Sequence, residues 1–496
     1  MSLPDHLRRE AERIAEIARG YGLDFFETIF EMTNAEGMNE LAAYGGFPIR
    51  YSHWRFGMEY DRLRKSDVYG LSHIYEMVIN NDPCYAYLQE TNRLVDHQMV
   101  MAHVYGHADF FKNNIWFSRT NRHMLDRMGE NASEIHRIID KQGLERVERF
   151  LDAALSLEGL IDPHSVFRDP VSDIEEEESG PRPELSHLKF RTKEYLDAFV
   201  NPKEVLEEEL RRIREQLERQ QNMPRQPERD ILRFLMHHAP LKSWQRRILA
   251  MLREESYYFA PQGMTKVMNE GWASYWHTKI MTEQVLADAD LTAYADHCSR
   301  TLAMPPGAFN PYRVGLAIWL DIEERWNKGR FGREWEECQD IEKRQHWDTG
   351  AGLGLEKMFE VRRFFNDLTF IDRFFTRDVC MEQKLFTTRP DPRSGEQRIA
   401  ERDFEKVKAQ MLFMLNNLGR PVIEVVASNY ENRGELLLRH QHYGADLDLG
   451  YAQETLKNLS GIWRRPVHIE TTVDNKPKQL SHDGEKFGQR DLVGAT

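Results

Sequence analysis

The spacing of apolar residues predicts that most of this chain is helical. Residues 96–117 contain one glycine and no proline, and their apolar residues recur at helical spacing, so we expect a buried helix there. Residues 5–35 and 131–160 mix apolar and charged positions at the same period, which predicts amphipathic helices. Residues 335–388 are rich in phenylalanine and other apolar residues and are also expected to be helical.

The pattern changes in the last quarter of the chain. Residues 421–427 alternate and are rich in β-branched side chains, and residues 435–440 and 466–473 are similar, so each is expected to form a strand. A helix is expected within residues 446–458. We therefore predict a small α+β domain with antiparallel strand pairing from about residue 388 onward.

An acidic segment that contains Pro and Gly, VSDIEEEESGPRPE, interrupts the helical pattern. Charged runs of this kind are usually solvated loops or linkers. The predicted fold class is mainly α, with a large helical core and a small C-terminal α+β domain. The predicted divisions are a first helical half (1–170), an acidic linker or loop (171–190), a second helical half (191–387) and the C-terminal domain (388–496).

Charge and composition narrow the functional classes. The net charge of −14 argues against general nucleic-acid binding, because phosphate binding requires a basic surface. No apolar run approaches the length needed to cross a bilayer, and the N-terminus has the pattern of a charged helix rather than a signal sequence. The four cysteines are scattered and form neither a CxxC pair nor a disulfide framework. We therefore expect a cytoplasmic protein with reduced thiols.

Two histidines in the buried helix are candidate metal ligands. His103 and His107 are four residues apart, a helical rotation of about 40°, so both imidazoles leave the same face one turn apart. One helix can offer two nitrogen ligands to one ion in this way. The alternative is a pair of hydrogen-bonded core histidines. Asp96 lies seven residues before His103 and is a candidate carboxylate for orienting a ligand imidazole.

A second stretch, MNEGWASYWH, supplies the complementary groups. Glu270 and His277 are seven residues apart and share one helical face. Two imidazoles and one carboxylate with an open position form a catalytic zinc set, although iron or manganese would also accept these ligands. His277 is expected to be a fourth ligand or a general acid–base group. Glu76 and Asn80, expected on a helix that ends at NNDP, are candidates to support a polar site.

The segments AHVYGHADFFKN and NEGWASY resemble zinc metallopeptidases of the gluzincin group, whose pattern is HExxH followed by a glutamate within NEGxA. The resemblance implies a zincin-like core in which His103, His107 and Glu270 bind the metal. The sequence departs from that pattern at Val104, where the peptidases have the glutamate that activates water. Glu254 and Glu255 are candidate replacements. Asp109 points away from the histidine face and is not expected to take that role.

Four longer motifs resemble the SpoVR family (stage V sporulation protein R-like proteins). They occur in the same order and are IYEMVINNDPCYAYLQETN, AHVYGHADFFKNN, REESYYFAPQGMTKVMNEGWASYWH and NPYRVG. The resemblance implies a cytoplasmic protein linked to the spore cortex, a modified peptidoglycan, or to stress physiology. It also implies a serine kinase of the PrkA type and a von Willebrand A-like protein as partners. It implies no biochemical activity.

Two functional hypotheses follow. The first is a metal-dependent hydrolase that cleaves amide or peptide-like bonds with a His/His/Glu site, zinc being the first expectation for the metal. The second is a non-catalytic regulatory or scaffold protein that retains a degenerate zincin-like core and acts by binding partners. The dense polar and aromatic motifs favour the first hypothesis, and valine at position 104 favours the second.

Overall fold

A computed structural model describes residues 3–68, 76–167, 226–305, 308–390 and 397–492, together with positions 202, 206, 208, 211, 212 and 224. The chain divides into two units. The first unit combines Met1–Lys141 with Tyr258–Gly419, and the second combines Gln142–Tyr257 with Arg420–Thr496. Among the described residues, no helix has both the length and the apolar character that crossing a membrane requires.

Helices account for most of the described chain. The α-helices are α1 Asp5–Gly20, α2 Ala35–Ala43, α3 Trp54–Val68, α4 Leu94–Asn113, α5 Met124–Gln142, α6 Leu144–Leu155, α7 Ile231–His238, α8 Ser243–Met264, α9 Lys266–Ile280, α10 Leu291–Thr301, α11 Pro311–Asn327, α12 Gly332–Glu336, α13 Ile341–Gln345, α14 Gly354–Phe364, α15 Asp367–Phe374, α16 Arg377–Glu382, α17 Phe404–Leu415 and α18 Leu449–Trp463. Short 3₁₀ turns and one π-helical turn are Ile115–Phe117, Ser165–Phe167, Met281–Val285, Asp288–Asp290 and Asn416–Gly419.

The strands are fewer and form three sheets. They are β1 Thr28–Thr33, β2 Glu76–Ile79, β3 Cys84–Gln89, β4 Thr387–Pro390, β5 Gln397–Glu401, β6 Val422–Tyr430, β7 Glu435–Gln441, β8 Val467–Val473, β9 Lys476–His482 and β10 Phe487–Asp491. The sheet orders are β1-β3-β2, β4-β5 and β10-β9-β8-β7-β6. The prediction of a mainly helical protein with a small C-terminal α+β domain is confirmed.

The small sheet of the first unit corrects two expectations. Residues 28–33 were expected to continue the first helix, but they form β1, which runs parallel to β3. The segment TIFEMT contains three β-branched residues, and its buried positions alternate, as a strand requires. Glu76 was expected on a helix, but it begins β2, which pairs antiparallel with β3. Both segments are too short for their period to be separated from the helical pattern around them.

The five-stranded sheet of the second unit contains the three strands that the sequence predicted, with ends that coincide or are shifted by up to three residues. The expectation of antiparallel pairing is wrong at one place, because β7 and β8 are parallel. The reason is α18, which connects them. A helical crossover returns the chain to the same end of the sheet, so the next strand runs in the same direction.

The acidic linker predicted at residues 171–190 lies outside the described residues. The predicted domain divisions therefore stay a prediction.

Small residues let three helices of the first unit approach closely. A Cβ atom at Gly106 of α4 would lie 2.8 Å from the Cα atom of Ala273 on α9. A Cβ atom at Gly271 of α9 would lie 2.4 Å from the carbonyl carbon of Gly315 on α11. Helix α9 is therefore held between α4 and α11 at distances that only glycine permits.

This contact predicts an unusual response to alanine. In an open helical position, Gly→Ala stabilises a protein by about 0.4–1 kcal/mol. We expect Gly271→Ala to lower the free energy of unfolding by about 1–3 kcal/mol instead, because the added methyl group overlaps the backbone of α11. Urea denaturation measures the change. Gly129→Ala is the matched control, since nothing lies within 4 Å of a Cβ atom there. Equal stabilisation by both substitutions would contradict the close helix contact.

A buried ion pair fixes α4 against its neighbours. Asp109 is fully buried, and both of its carboxylate oxygens accept hydrogen bonds from Nη1 of Arg362 at 2.7 Å. The carboxylate also accepts from Nε1 of Trp272 at 2.9 Å and from the backbone N–H of Asp24 at 2.8 Å. Burial raises the pKa of Asp109 to about 6, although Arg362 and the other donors oppose this shift. Asp109 thus has a structural position away from the histidine pair.

We expect Arg362→Met to cost about 3–5 kcal/mol of stability, because it leaves a buried carboxylate without its cation. The double variant Asp109→Leu/Arg362→Met should lose less than Arg362→Met alone, since it removes both charges. Urea denaturation of the two single variants and the double variant forms the test. A double variant as unstable as the sum of the single variants would show that the two residues are not coupled.

Candidate metal centre

Helices α4 and α9 bring three ligand-type side chains together. Nε2 of His103 lies 3.5 Å from Oε2 of Glu270, and Nε2 of His107 lies 3.4 Å from the same oxygen. One ligand atom from each of the three residues lies within 4.8 Å of the other two. Among the residues that the structure describes, no other group of three or more His, Cys, Asp and Glu side chains has its ligand atoms this close together. The structure therefore places His103, His107 and Glu270 in one site.

The local sequence explains why these side chains converge. The two histidines are one turn apart on α4, and Glu270 directly precedes Gly271, the residue at which α9 contacts α11. Ala273, three residues after Glu270, faces Gly106 of α4. Because small residues set the distance between the helices, a carboxylate on α9 can reach imidazoles on α4.

The other nitrogen of each imidazole is also hydrogen-bonded. Nδ1 of His107 lies 2.9 Å from Oδ1 of Asn269, and Nδ1 of His103 lies 2.9 Å from Nδ1 of His277. Both rings thus turn Nδ1 toward a partner on α9 and Nε2 toward Glu270. Metal-bound imidazoles in proteins are oriented by partners of this kind.

Burial and close charges shift the pKa values of the three residues. Burial, together with His107, lowers the pKa of His103 to about 4. Burial also acts to lower the pKa of His107, but Glu270 and Asn269 outweigh it and raise that pKa. Burial acts to raise the pKa of Glu270, but the two histidines outweigh it and hold that pKa well below its usual range. The carboxylate is therefore ionised, and the His103 imidazole is neutral at neutral pH.

The three side chains fit a divalent cation. Oε2 of Glu270 is buried and accepts no well-aligned hydrogen bond from the described residues, although both Nε2 atoms lie within 3.5 Å of it. Ligand atoms bound tetrahedrally at about 2.0–2.1 Å lie about 3.3–3.4 Å from one another. The two nitrogen–oxygen distances, 3.4 and 3.5 Å, are within about 0.1 Å of this spacing. Two imidazole nitrogens and one carboxylate are ligands that zinc, iron and manganese all accept.

Two further residues border the site, and the sequence did not link either of them to the three candidate ligands. Oε1 of Glu76 lies 3.8 Å from Nε2 of His103, and burial raises the pKa of this carboxyl to about 7. The ring of Tyr312 stacks on His103, with 6.0 Å between ring centroids. Burial and the charges of Glu270 and Glu76 raise the pKa of Tyr312, so its hydroxyl stays protonated.

The sequence contained partial signals for both. Glu76 belongs to the motif IYEMVINNDP. The sequence predicted a helix there, and that prediction did not bring the Glu76 side chain to the metal site. Tyr312 follows Asn310 and Pro311, which begin α11: Oδ1 of Asn310 accepts from the backbone N–H of Tyr312 at 2.9 Å. This cap fixes the first turn of α11 and, with it, the position of Tyr312.

The remaining predicted site residues lie in different surroundings. Oδ2 of Asp96 accepts from the backbone N–H and from Nε of Arg93, and Oδ1 lies 3.4 Å from Nδ1 of His297. Asp96 thus closes the N-terminus of α4, and its role in orienting a ligand stays a prediction. Glu254 and Glu255 lie on α8, in the part of that helix that belongs to the second unit, and their catalytic role also stays a prediction.

The position that holds the catalytic glutamate in gluzincins is part of the hydrophobic core. Val104 is fully buried among the apolar residues of the first unit. Glu76 places a carboxylate beside His103 from β2 rather than from α4.

Comparison with known proteins gives the affiliation of the chain. Residues 2–420 match the model of the family described as SpoVR like protein, and residues 421–474 match the SpoVR-like C-terminal domain. The Escherichia coli (strain K12) protein named Uncharacterized protein YcgB is 30% identical over 494 aligned positions, covering 93% of this chain and 90% of that protein. No solved structure matches the chain. Since the two family models together extend from residue 2 to residue 474, the chain belongs to the SpoVR family.

Proposed function

We propose that this protein is a metal-dependent hydrolase of amide or peptide-like bonds. The observation that carries the proposal is the convergence of His103, His107 and Glu270 around a buried carboxylate oxygen without a hydrogen-bond partner. The name of the family points to sporulation, and the amide and peptide bonds of peptidoglycan are therefore the first substrates to test. We propose that the protein acts in the cytoplasm.

The ligands would be Nε2 of His103, Nε2 of His107 and a carboxylate oxygen of Glu270. A divalent metal held by these residues would supply Lewis-acid polarisation of a carbonyl group and activation of water. We propose zinc as the metal, with iron and manganese as the alternatives that the same ligands accept.

Glu76 is the proposed general base in place of the glutamate that Val104 replaces. Its side chain is 21% exposed and lies beside His103, so it borders the site while remaining in contact with solvent. Glu76 would take a proton from the attacking water as the water oxygen bonds to the carbonyl carbon. It would then give that proton to the leaving nitrogen as the carbon–nitrogen bond breaks, so the reaction consumes one water and leaves the enzyme unchanged.

The protonated hydroxyl of Tyr312 has a complementary role in this proposal. The Tyr312 ring stacks on that of His103, so the side chain borders the proposed metal ligands. A neutral O–H group can donate a hydrogen bond to a carbonyl oxygen that gains negative charge, and donors of this kind stabilise the transition state of acyl transfer.

One observation supports a second candidate function. Val104 places an apolar side chain where related zinc peptidases carry their base, which is the expected pattern of a core that has lost catalysis. In this alternative the protein is a regulatory or scaffold component that acts with a PrkA-type kinase and a von Willebrand A-like protein. The metal, if retained, then has a structural role.

The metal content of the purified protein, measured by inductively coupled plasma mass spectrometry, is the first test. About one zinc, iron or manganese ion per chain supports a metal site, and a metal-free protein of full stability contradicts it. Hydrolysis of peptidoglycan fragments and peptides by the metal-loaded protein then separates the hydrolase from the scaffold alternative.

A further inference from the structure

We propose that Asn269 and His277 are positioning residues that hold both ligand imidazoles with a free electron pair on Nε2, ready to bind the cation. This inference rests on the proposed function, because it concerns the same metal site. It assigns His277 a role different from the fourth ligand or acid–base group that the sequence suggested.

Helix α9 supplies a partner for each of the four ring nitrogens of the two imidazoles. Glu270 lies between Asn269 and His277 in the sequence, and its Oε2 atom faces both Nε2 atoms. Asn269 faces Nδ1 of His107, and His277 faces Nδ1 of His103. Both positioning residues are buried, each with 7% of its surface exposed, so water does not readily replace them as partners. The orientation of both ligands therefore depends on one rigid helix.

The contact between His107 and Asn269 determines where the His107 proton resides. An amide oxygen can only accept a hydrogen bond, so the Nδ1 atom that faces Oδ1 of Asn269 must carry the proton. An imidazole that binds a metal ion is neutral and carries one N–H group. Its Nε2 atom, which faces Glu270, then has a free electron pair and can bind a metal ion.

The contact between His103 and His277 has the same consequence when the cation is bound. Two Nδ1 atoms 2.9 Å apart share one proton, so one ring donates and the other accepts. If Nε2 of His103 binds the metal, the proton of that ring must be on Nδ1, and His277 must be the acceptor.

The same argument excludes Nδ1 of His277 as a metal ligand, since that atom accepts from His103. Hydrogen-bond partners of ligand histidines typically change metal affinity by about 10–100-fold when they are removed. We expect losses of this size for His277→Phe and Asn269→Leu, which remove the acceptor and keep a side chain of similar bulk.

The test is the affinity of the protein for Zn²⁺, measured by competition with a chromophoric chelator, which requires no substrate. His277→Asn is the conservative variant, because the amide oxygen of asparagine lies close to the position of Nδ1 in histidine. We expect His277→Phe to bind Zn²⁺ about 10–100-fold more weakly than the wild type and His277→Asn to recover most of the loss. His123→Phe changes an exposed histidine of the same unit and should leave the affinity unchanged. Thermal unfolding of the metal-free variants reports on their folding.

The outcomes separate this inference from the proposed function. If the wild type binds Zn²⁺ through His103 and Glu270 while His277→Phe and Asn269→Leu bind equally well, the positioning role is overturned and the metal site stands. If His277→Phe loses affinity and His277→Asn does not recover it, although both unfold like the wild type, His277 does not act as an acceptor and the inference also fails. If the wild type does not bind Zn²⁺, both proposals fail.

Discussion

Replacing His103 or Glu270 by alanine is expected to reduce the bound metal from about one ion per chain to almost none. Each substitution removes one of three ligands, and the two remaining ligands cannot complete a tetrahedral site. Glu270→Ala additionally removes the only negative charge among the three groups. The metal content of each purified variant, measured by inductively coupled plasma mass spectrometry beside the wild type, gives the result.

A second measurement on the same variants distinguishes metal loss from misfolding. A ligand that binds only the folded state stabilises it by about 2.7 kcal/mol at a concentration 100 times its dissociation constant. Added Zn²⁺ should therefore raise the melting temperature of the wild type and of the exposed control His123→Ala, but not that of His103→Ala or Glu270→Ala. Equal metal content in wild type and variants would show that the two residues are hydrogen-bonded core groups and not ligands.

Replacing Glu76 by glutamine is expected to lower the rate of amide hydrolysis by about 10²–10⁴-fold, the usual contribution of a general base. Glutamine keeps the size of the side chain and cannot accept a proton from water at neutral pH. Because Glu76 lies beside His103 without belonging to the three-residue ligand group, the metal content should stay at the wild-type level. The measurement combines metal analysis with the rate at which the metal-loaded variant cleaves peptidoglycan fragments or peptides.

The matched controls for this prediction are Glu254→Gln and Glu255→Gln, the positions that the sequence suggested as alternative bases. If one of them abolishes hydrolysis and Glu76→Gln does not, the base comes from α8 and the role of Glu76 is wrong. If Glu76→Gln loses the metal as well, Glu76 is a ligand. Wild-type protein that carries metal but cleaves neither class of substrate would favour the scaffold alternative.

The two predictions address different parts of the same site. Metal loss depends on α4 and α9, whose close contact is set by Gly106 and Ala273. The loss of activity depends on β2, an element that approaches the site through a sheet. A protein that retains the first property and lacks the second would be a metal-binding scaffold, which is why the Glu76 experiment decides between the two proposed functions.

Local periodicity explains which elements could be predicted from the sequence. The segment that carries His103 and His107 is largely apolar, has no proline and is longer than a strand, which favours a helix. Strands β6 and β8 are rich in β-branched residues and have alternating buried positions. The strands β1 and β2 were missed because segments of four to six residues carry little periodic signal of their own. The parallel pairing of β7 with β8 depends on the crossover made by α18, which the composition of the strands does not report.

The sequence by itself determined that two imidazoles leave one face of a helix and that Glu270 and His277 share a face of another, because helical spacing fixes these directions. It also determined the membership of the chain in its family through motifs read in order. Only the tertiary structure decided that the two faces meet, that Glu76 joins them, and that Asn269 and His277 hold the Nδ1 atoms of the histidines. The physical reason is that these contacts join residues up to 174 positions apart, and their distances are set by the packing of helices at glycine contacts rather than by local conformation.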